Sequence, residues 1–468
     1  MGAEQKVARS FLTLGAGEAV SRLVAFAATV YLARVLGAAG YGVIAFAAGV
    51  NLYLAKLADF GVEAVGTSEV ARASEDLPRV VSAVMGARLA FTALLTALCV
   101  ALALLCLPEP DASVLALYAL TLLPIAASTK WLHLGRESAG PIGVTRIVGE
   151  LLALALVVLL VHRPSQLRVA PLAQLAGDTL VVVALYLVLV RSGLGFRPRW
   201  DPSAALPVFR RALPLMTQIL LGLFLYNSDL VFLRAMRDSQ SVGFYAAAYT
   251  LISFLANLGV VYSMSLLPTL TRLQSDPAQE LGLYHTALAQ THAVALPITL
   301  GGWLVAPAII ETAFGDGYRP AVAVLQMLIW AVPMSAFRNA PWAALVARGQ
   351  QGLLLRATLY AVGANAALNV VLIHFYGMLG AAVSTVLTES LTGVLMLAYA
   401  AREGLSLPSL RRLWRPTLAG CVMALVLAML GGQPLPTSIA SGALAYGLCL
   451  VLLGVLKWQP GRLPRFEP

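Results

Sequence analysis

Five ionisable residues stand where an apolar chain has no ordinary use for them: Glu18, Arg22, Lys56, Asp59 and Glu63. The hydrophobic stretches that carry them, residues 11–35 and 41–65, are each long enough to cross a bilayer, which takes roughly 20 apolar residues. An ionised side chain at the bilayer centre costs about 2.5–3.5 kcal/mol, so such groups face a protein interior or a watery cavity rather than lipid. Glu18 and Arg22 are spaced i,i+4, and Lys56, Asp59 and Glu63 follow i,i+3,i+7, which puts each set on one helical face. The chemistry on offer is recognition of an anion, with arginine as a bidentate fork and lysine as a point charge. Arg22 lies roughly 16 Å into its span and Lys56 at a similar depth, while the three acids lie nearer the side of the N-terminus. The expectation is a positive layer beyond an acidic mouth. The alternative is internal neutralisation, in which Glu18–Arg22 and Lys56–Asp59 pair and no ligand is held.

Further ionisable residues lie in later apolar runs. Arg234 and Arg338 are additional candidate cations for an anionic ligand. Asp229, preceded by Asn227, caps its helix or pairs with Arg234. Arg338, five residues after Pro333, either faces a cavity or snorkels to the membrane surface. Glu389 stands alone in its span and joins Glu18, Asp59, Glu63 and Asp229 as a candidate cavity acid or ion-coupling group. Glu150 and Asp178 could pair across neighbouring helices. No catalytic residue, metal site or cofactor is expected: Cys99, Cys106, Cys421 and Cys449 lack redox or ligand spacing, the histidines are scattered, and there is no Walker sequence.

Such residues need helices to hold them. The 468 residues are 59% hydrophobic and 12% charged, with a mean hydropathy of +0.83, which no soluble domain matches. The fold class is an all-α polytopic membrane protein of about fourteen spans. After the first pair these spans cover residues 82–107, 112–132, 141–161, 171–190, 209–232, 242–267, 283–314, 321–346, 353–375, 378–401, 414–429 and 439–456. The net charge of +10 is no nucleic-acid signal, because the basic residues sit in short loops. With the N-terminus inside, lysine and arginine favour the cytoplasmic loops by roughly three to one, as the positive-inside rule requires. Both termini are then cytoplasmic. The basic ends of the chain, with Lys6, Arg9 and Arg462, lie on that side, and the first run is too long for a cleaved signal peptide. Met1-Gly2 lacks the serine or threonine that myristoylation needs, since Lys6 occupies that place. Pro124, Pro214, Pro297, Pro307 and Pro333 interrupt spans and are expected to kink them.

The chain also repeats itself. R-V-L-G-A-A-G-Y-G from Arg34 leads into a small-residue helix containing A-D-F-G-V at 58–62, and R-A-M-R-D-S-Q-S-V-G from Arg234 leads into one containing A-N-L-G-V at 256–260. Both copies run the same way, which implies two parallel six-helix lobes with the ligand site at their interface. Residues 1–200 form the first lobe, 201–405 the second, and 406–468 a trailing helix pair with a cytoplasmic tail.

The segments S21-R22-L23, L32-A33-R34-V35-L36-G37-A38-A39-G40-Y41-G42 and A58-D59-F60-G61 resemble the polysaccharide-biosynthesis branch of the multidrug/oligosaccharidyl-lipid/polysaccharide exporters, which includes the Wzx-type flippases. The likeness is clearest over the first 80 residues. It implies a MATE-like pair of pseudo-symmetric six-helix lobes plus two C-terminal helices. It further implies alternating-access translocation of an undecaprenyl-diphosphate-linked oligosaccharide to the periplasmic leaflet of a bacterial inner membrane, for O-antigen, capsule or exopolysaccharide assembly. The family's cavity cations map to Arg22 and Lys56, then to Arg234 and Arg338. The partners implied are the lipid-linked oligosaccharide, the bilayer and polysaccharide polymerases. Competing readings are a MATE-type ion-coupled drug or metabolite antiporter and a membrane glycan polymerase or ligase. The paired cations argue against a cationic drug, and the short outer loops argue against an enzyme. The loop charges give a first test: a periplasm-specific reporter is expected to be active when fused after Pro110 or Gly315 and silent after Arg136 or Arg199. Activity at Arg199 would reverse the assigned orientation.

Overall fold

The computed structural model describes residues 3–72, 77–193, 195–457 and 465–466. Met1, Gly2 and Arg462 lie outside them. The chain forms two compact units, one running to Arg234 and including Asp238–Gly243, the other comprising Ala235–Arg237 and Phe244 onward. In the first unit the helices are α1 (Ala3–Asp59), α2 (Val62–Ala71), α3 (Leu77–Cys106), α4 (Asp111–Ala119), α5 (Leu122–Ala127), α6 (Lys130–Gly135), α7 (Gly140–Leu160), α8 (Val169–Arg191) and α9 (Pro202–Met236). Then follow α10 (Ser239–Leu273), α11 (Pro277–Phe314), α12 (Ala321–Leu328), α13 (Ala331–Ala347), α14 (Gln351–Arg402), α15 (Leu410–Met429) and α16 (Leu435–Leu452). Among the described residues, twelve helical segments are long and apolar enough to cross a membrane.

Two of these segments exceed any single crossing. α1 has 57 residues and α14 has 52. At 1.5 Å per residue each would run roughly 80 Å, against a hydrocarbon core of about 30 Å. Both are broken at a glycine, Gly37 with φ 69° and Gly377 with φ 58°. Side chains other than glycine rarely adopt such backbone angles. The chain turns at these points without a loop. In the second unit Arg237 steadies the break, donating to the carbonyls of Ile373 at 3.2 Å and His374 at 2.7 Å.

Proline sets the other interruptions. The span expected at 112–132 is divided among α4, α5 and α6, and the one at 321–346 between α12 and α13. Pro124 cannot donate to Leu120, nor Pro333 to Ile329, and the helices part at those residues. The span expected at 41–65 is also corrected. α1 ends at Asp59, Phe60 and Gly61 take φ of 51° and 73°, and Glu63 begins a separate helix. Lys56, Asp59 and Glu63 therefore do not share one helical face.

Packing follows the rules of a lipid environment. The cores are rich in small residues: Ala47, Ala58, Ala119 and Ala173 in the first unit, and Ala340, Ala343, Ala344 and Ala400 in the second. Small side chains let helix backbones approach closely where water cannot drive association. The large apolar residues turn outward instead, as Leu94, Leu98, Leu102 and Leu105 do along α3. At the end of α8 the chain is strapped to α3: Arg199 N–H donates to Ser82 O at 2.9 Å, and Arg79 Nε reaches Asp201 at 2.9 Å. The Ser203 hydroxyl and Arg79 together hold the Asp201 carboxyl at about 2.

The glycine breaks carry a prediction. A Cβ at Gly37 would meet no atom within 4 Å, so Gly37→Ala tests backbone strain alone. It is expected to cost about 1–3 kcal/mol and to lower the thermal unfolding midpoint in detergent. Gly222→Ala, in the interior of α9 with the same open space, is expected to hold or raise that midpoint. Equal midpoints for both variants would remove the strained turn.

Candidate functional site

The first unit encloses a cavity of about 590 Å³. Its wall is built from α1, α3 to α8 and Glu63 of α2, and it carries eight ionisable side chains: Lys56, Arg88, Lys130, Arg146, Asp59, Glu63, Glu150 and Asp178. The charges are unevenly matched. Arg88 is 3% exposed and donates to Asp59 at 2.9 Å, and also to the carbonyls of Ala58 at 3.2 Å and Ile125 at 3.0 Å. Lys130 holds Glu63 at 2.6 Å. These four residues neutralise one another and join α3 to α1 and α6 to α2.

What remains at that end of the cavity is positive. Lys56 forms no ion pair among the described residues. Arg146 shares a carboxylate with Arg22: Glu18 accepts from Arg22 Nε at 3.0 Å and lies 3.5 Å from Arg146 Nε. Arg22 is half exposed and stands beside the cavity rather than on its wall. Arg22 and Arg146 thus share one carboxylate, and Lys56 adds a further cation to the wall. The i,i+4 pair Glu18–Arg22 forms as its spacing indicates, but Asp59 is taken by Arg88 and not by Lys56.

The remaining candidates lie elsewhere. Arg234 forms a bidentate pair with Asp111, Nε–Oδ1 3.0 Å and Nη2–Oδ2 2.7 Å, and is committed to holding α9 against α4. Asp229 is buried in α9 within electrostatic reach of the Tyr53 hydroxyl. In the second unit Arg338 and Glu389 approach to 3.4 Å, both largely buried, so Glu389 does not stand alone. That contact also turns Arg338 inward, away from a snorkelling role.

Sequence reasoning passed over Arg88 and Arg146. The signal was present, because each is a single cation within an apolar run, and Arg146 even has Glu150 one turn ahead. Lys130 lies within the span expected at 112–132, and the break after Ser128 places it at the start of α6. Among the described residues no group of three or more His, Cys, Asp or Glu is placed to hold a metal ion, and the four cysteines are free.

Multi-span helices in two units, with a polar cavity set into the apolar bundle of one, define an integral membrane protein of the MurJ and MATE fold. The chain matches the polysaccharide biosynthesis protein family over residues 7–274 and belongs to it. Its structure is similar to the lipid II flippase MurJ in an inward closed conformation, with a TM-score of 0.80 at 14% identity over 94% of this chain and 98% of that one. It is also similar to an inward-facing multidrug resistance MATE family transporter, with a TM-score of 0.66 at 12% identity over 82% and 94% of the two chains. In sequence it is 24% identical over 180 residues to a probable low-salt glycan biosynthesis flippase, Agl15, of Haloferax volcanii. That match spans 38% of each protein.

The Arg88–Asp59 pair yields a test. Removing one partner of a buried pair costs about 3–5 kcal/mol, whereas replacing both by apolar groups is often neutral. Arg88→Met is therefore expected to cut the amount of folded protein in the membrane sharply, and Asp59→Leu added to it should restore much of the loss. A double variant no better than Arg88→Met would show that the bonds to Ala58 and Ile125, not the ion pair, carry the cost.

Proposed function

We propose that this protein is a flippase that carries a polyprenyl-diphosphate-linked oligosaccharide from the cytoplasmic to the periplasmic leaflet of a bacterial inner membrane, for polysaccharide assembly. The observation that carries this reading is the group of cations at one end of the cavity, where Arg22 and Arg146 share the Glu18 carboxylate and Lys56 on the wall forms no ion pair among the described residues. A diphosphate supplies the missing negative charge, and arginine and lysine bind its oxygens with charge-assisted hydrogen bonds. Family membership supports a substrate on the polysaccharide pathway. The flippases MurJ and Agl15, to which the chain is similar, point the same way.

In this reading α1 and α14 each cross twice, giving fourteen crossings with both termini cytoplasmic. Six crossings fall in 1–200, six in 201–405, and the trailing pair in 406–468. The apolar tail stays in lipid while the phosphates enter the polar interior. Alternating access then exposes that interior to one face at a time. The reaction is transport, with no bond made or broken, and a polymerase would act on the delivered product. Asp59, Glu63 and Glu389 have basic partners within 4 Å, so they serve structure before ion coupling. A drug antiporter fits less well, because the surplus positive charge repels a cationic drug.

A hydrogen bond to a charged group contributes about 1.5–3 kcal/mol, so Lys56→Ala and Arg146→Ala are each expected to slow flipping roughly tenfold to a hundredfold. Arg22→Lys should retain more activity than Arg22→Ala, since charge survives without the fork. The measurement is unflipped lipid-linked glycan in cells whose variant reaches the membrane at normal abundance. Normal flipping by both alanine variants at 56 and 146 would refute the diphosphate site.

A further inference from the structure

The other end of the same cavity has a different chemistry. Val157 and Val161 of α7 cluster with Val43 and Ile44 just past the Gly37 break, so α7 runs toward that break while the second half of α1 runs away from it. Moving in that direction from Lys56 and Arg146 leads to Asn51, about 7.5 Å along α1, and to Glu150, about 6 Å along α7. Asn51, Thr121, Gln174, Asp178 and Glu150 all belong to the cavity wall. Gly149 and Gly177 bring the two acids to it: a Cβ on Gly177 would lie 2.6 Å from Gly149 O, a contact that only glycine allows. Each acid is the residue after one of these glycines. Gln174 Nε2 donates to Asp178 at 3.2 Å, and neither Glu150 nor Asp178 has a basic partner within 4 Å among the described residues.

Orphan polar atoms mark both ends. Asn51 is 9% exposed; its Nδ2 donates to Thr121 Oγ1 at 2.9 Å, and its Oδ1 has no donor. Trp131, 2% exposed and next to Lys130, has an Nε1–H with no acceptor. Buried polar atoms without partners are rare in folded proteins and call for an explanation. Here the spare donor sits at the cationic end and the spare acceptor at the acidic end. A ligand that answers both has acceptors at one end and donors at the other, within one molecule.

We propose that the Asn51–Gln174–Asp178–Glu150 end is a sugar subsite, taking the hydroxyl and amide groups of an uncharged sugar next to the diphosphate and rejecting a uronic acid there. This rests on the flippase reading and adds the class of sugar. Carboxylates and an amide oxygen accept from sugar hydroxyls, while the Gln174 amide and the Thr121 hydroxyl can donate in return. Two carboxylates that share only the longer-range field of Arg146 still outnumber it and repel a third.

Three probes test it on the full chain in nanodiscs: polyprenyl diphosphate, the same carrier bearing N-acetylhexosamine, and the carrier bearing a hexuronic acid. The wild type is expected to bind the neutral glycolipid about tenfold more tightly than the uronic one, the scale of a single hydrogen bond to a charged group. Glu150→Gln with Asp178→Asn should close that gap and leave bare-carrier binding unchanged, whereas Lys56→Ala should weaken all three alike. Asn51→Ala, which leaves both acids in place, should weaken the neutral glycolipid alone. Equal wild-type affinity for the two glycolipids, or a gap that survives the double amide variant, overturns the sugar subsite while leaving the diphosphate site standing. Failure of the bare carrier to bind, with Lys56→Ala changing nothing, overturns the flippase reading and the subsite with it.

Discussion

A broken helix inside a bilayer leaves carbonyls that no water can reach, and the fold of the first unit depends on Arg88 to satisfy them. Its guanidinium donates to Ala58 at the end of α1 and to Ile125 and Ser128 where α5 gives way to α6. Asp59 supplies the compensating charge. Non-helical backbone is tolerated at membrane depth only where protein groups replace the missing partners. One buried cation therefore lets two helices end side by side. Lys56, Lys130 and Trp131, close to those ends in sequence, all line the cavity.

That arrangement explains how a cavity can be strongly polar without being unstable. Arg88 and Lys130 are each matched to an acid on a neighbouring helix, so their charges hold the wall together. Only the charges left over are available to a ligand. They are Lys56, Arg146 and the adjoining Arg22, together with Glu150 and Asp178, which lie within the field of Arg146 but form no ion pair with it. Pairing all of them internally would give a tighter bundle and no binding site.

The same economy fixes α9. Counting spans assigns it to the second lobe, yet its contacts gather it with the first unit. Arg211 reaches Glu69 of α2 at 2.7 Å, and Tyr53 donates to Leu223 O at 3.3 Å. Arg234 meets Asp111 of α4, a residue almost wholly buried. Ion pairs at both ends of the helix and a hydrogen bond between them outweigh its place in the chain order. The start of α10 joins the first unit in the same way: a Cβ on Gly42 would sit 2.8 Å from Gly243 N.

The sequence by itself determined the class of protein, because an apolar run of bilayer length has no other stable fate. It also determined that Glu18 and Arg22 would meet, since they are four residues apart on one helix and helical geometry is local. Pro124 and Pro333 marked two breaks, whereas α9 and α11 run on through Pro214, Pro297 and Pro307, and Gly37 and Gly377 gave no comparable warning, because a glycine in a membrane helix more often serves packing. Only the tertiary structure decided the rest of the site. Asp59 and Arg88 are 29 residues apart, Glu63 and Lys130 67, and Asp111 and Arg234 123. Over such separations a partner is set by which helices become neighbours, and that depends on close contacts between small residues such as Gly149 and Gly177. A buried charge announces that it needs a partner. The packing of the helices decides which one it gets, and so which charges are left free to bind.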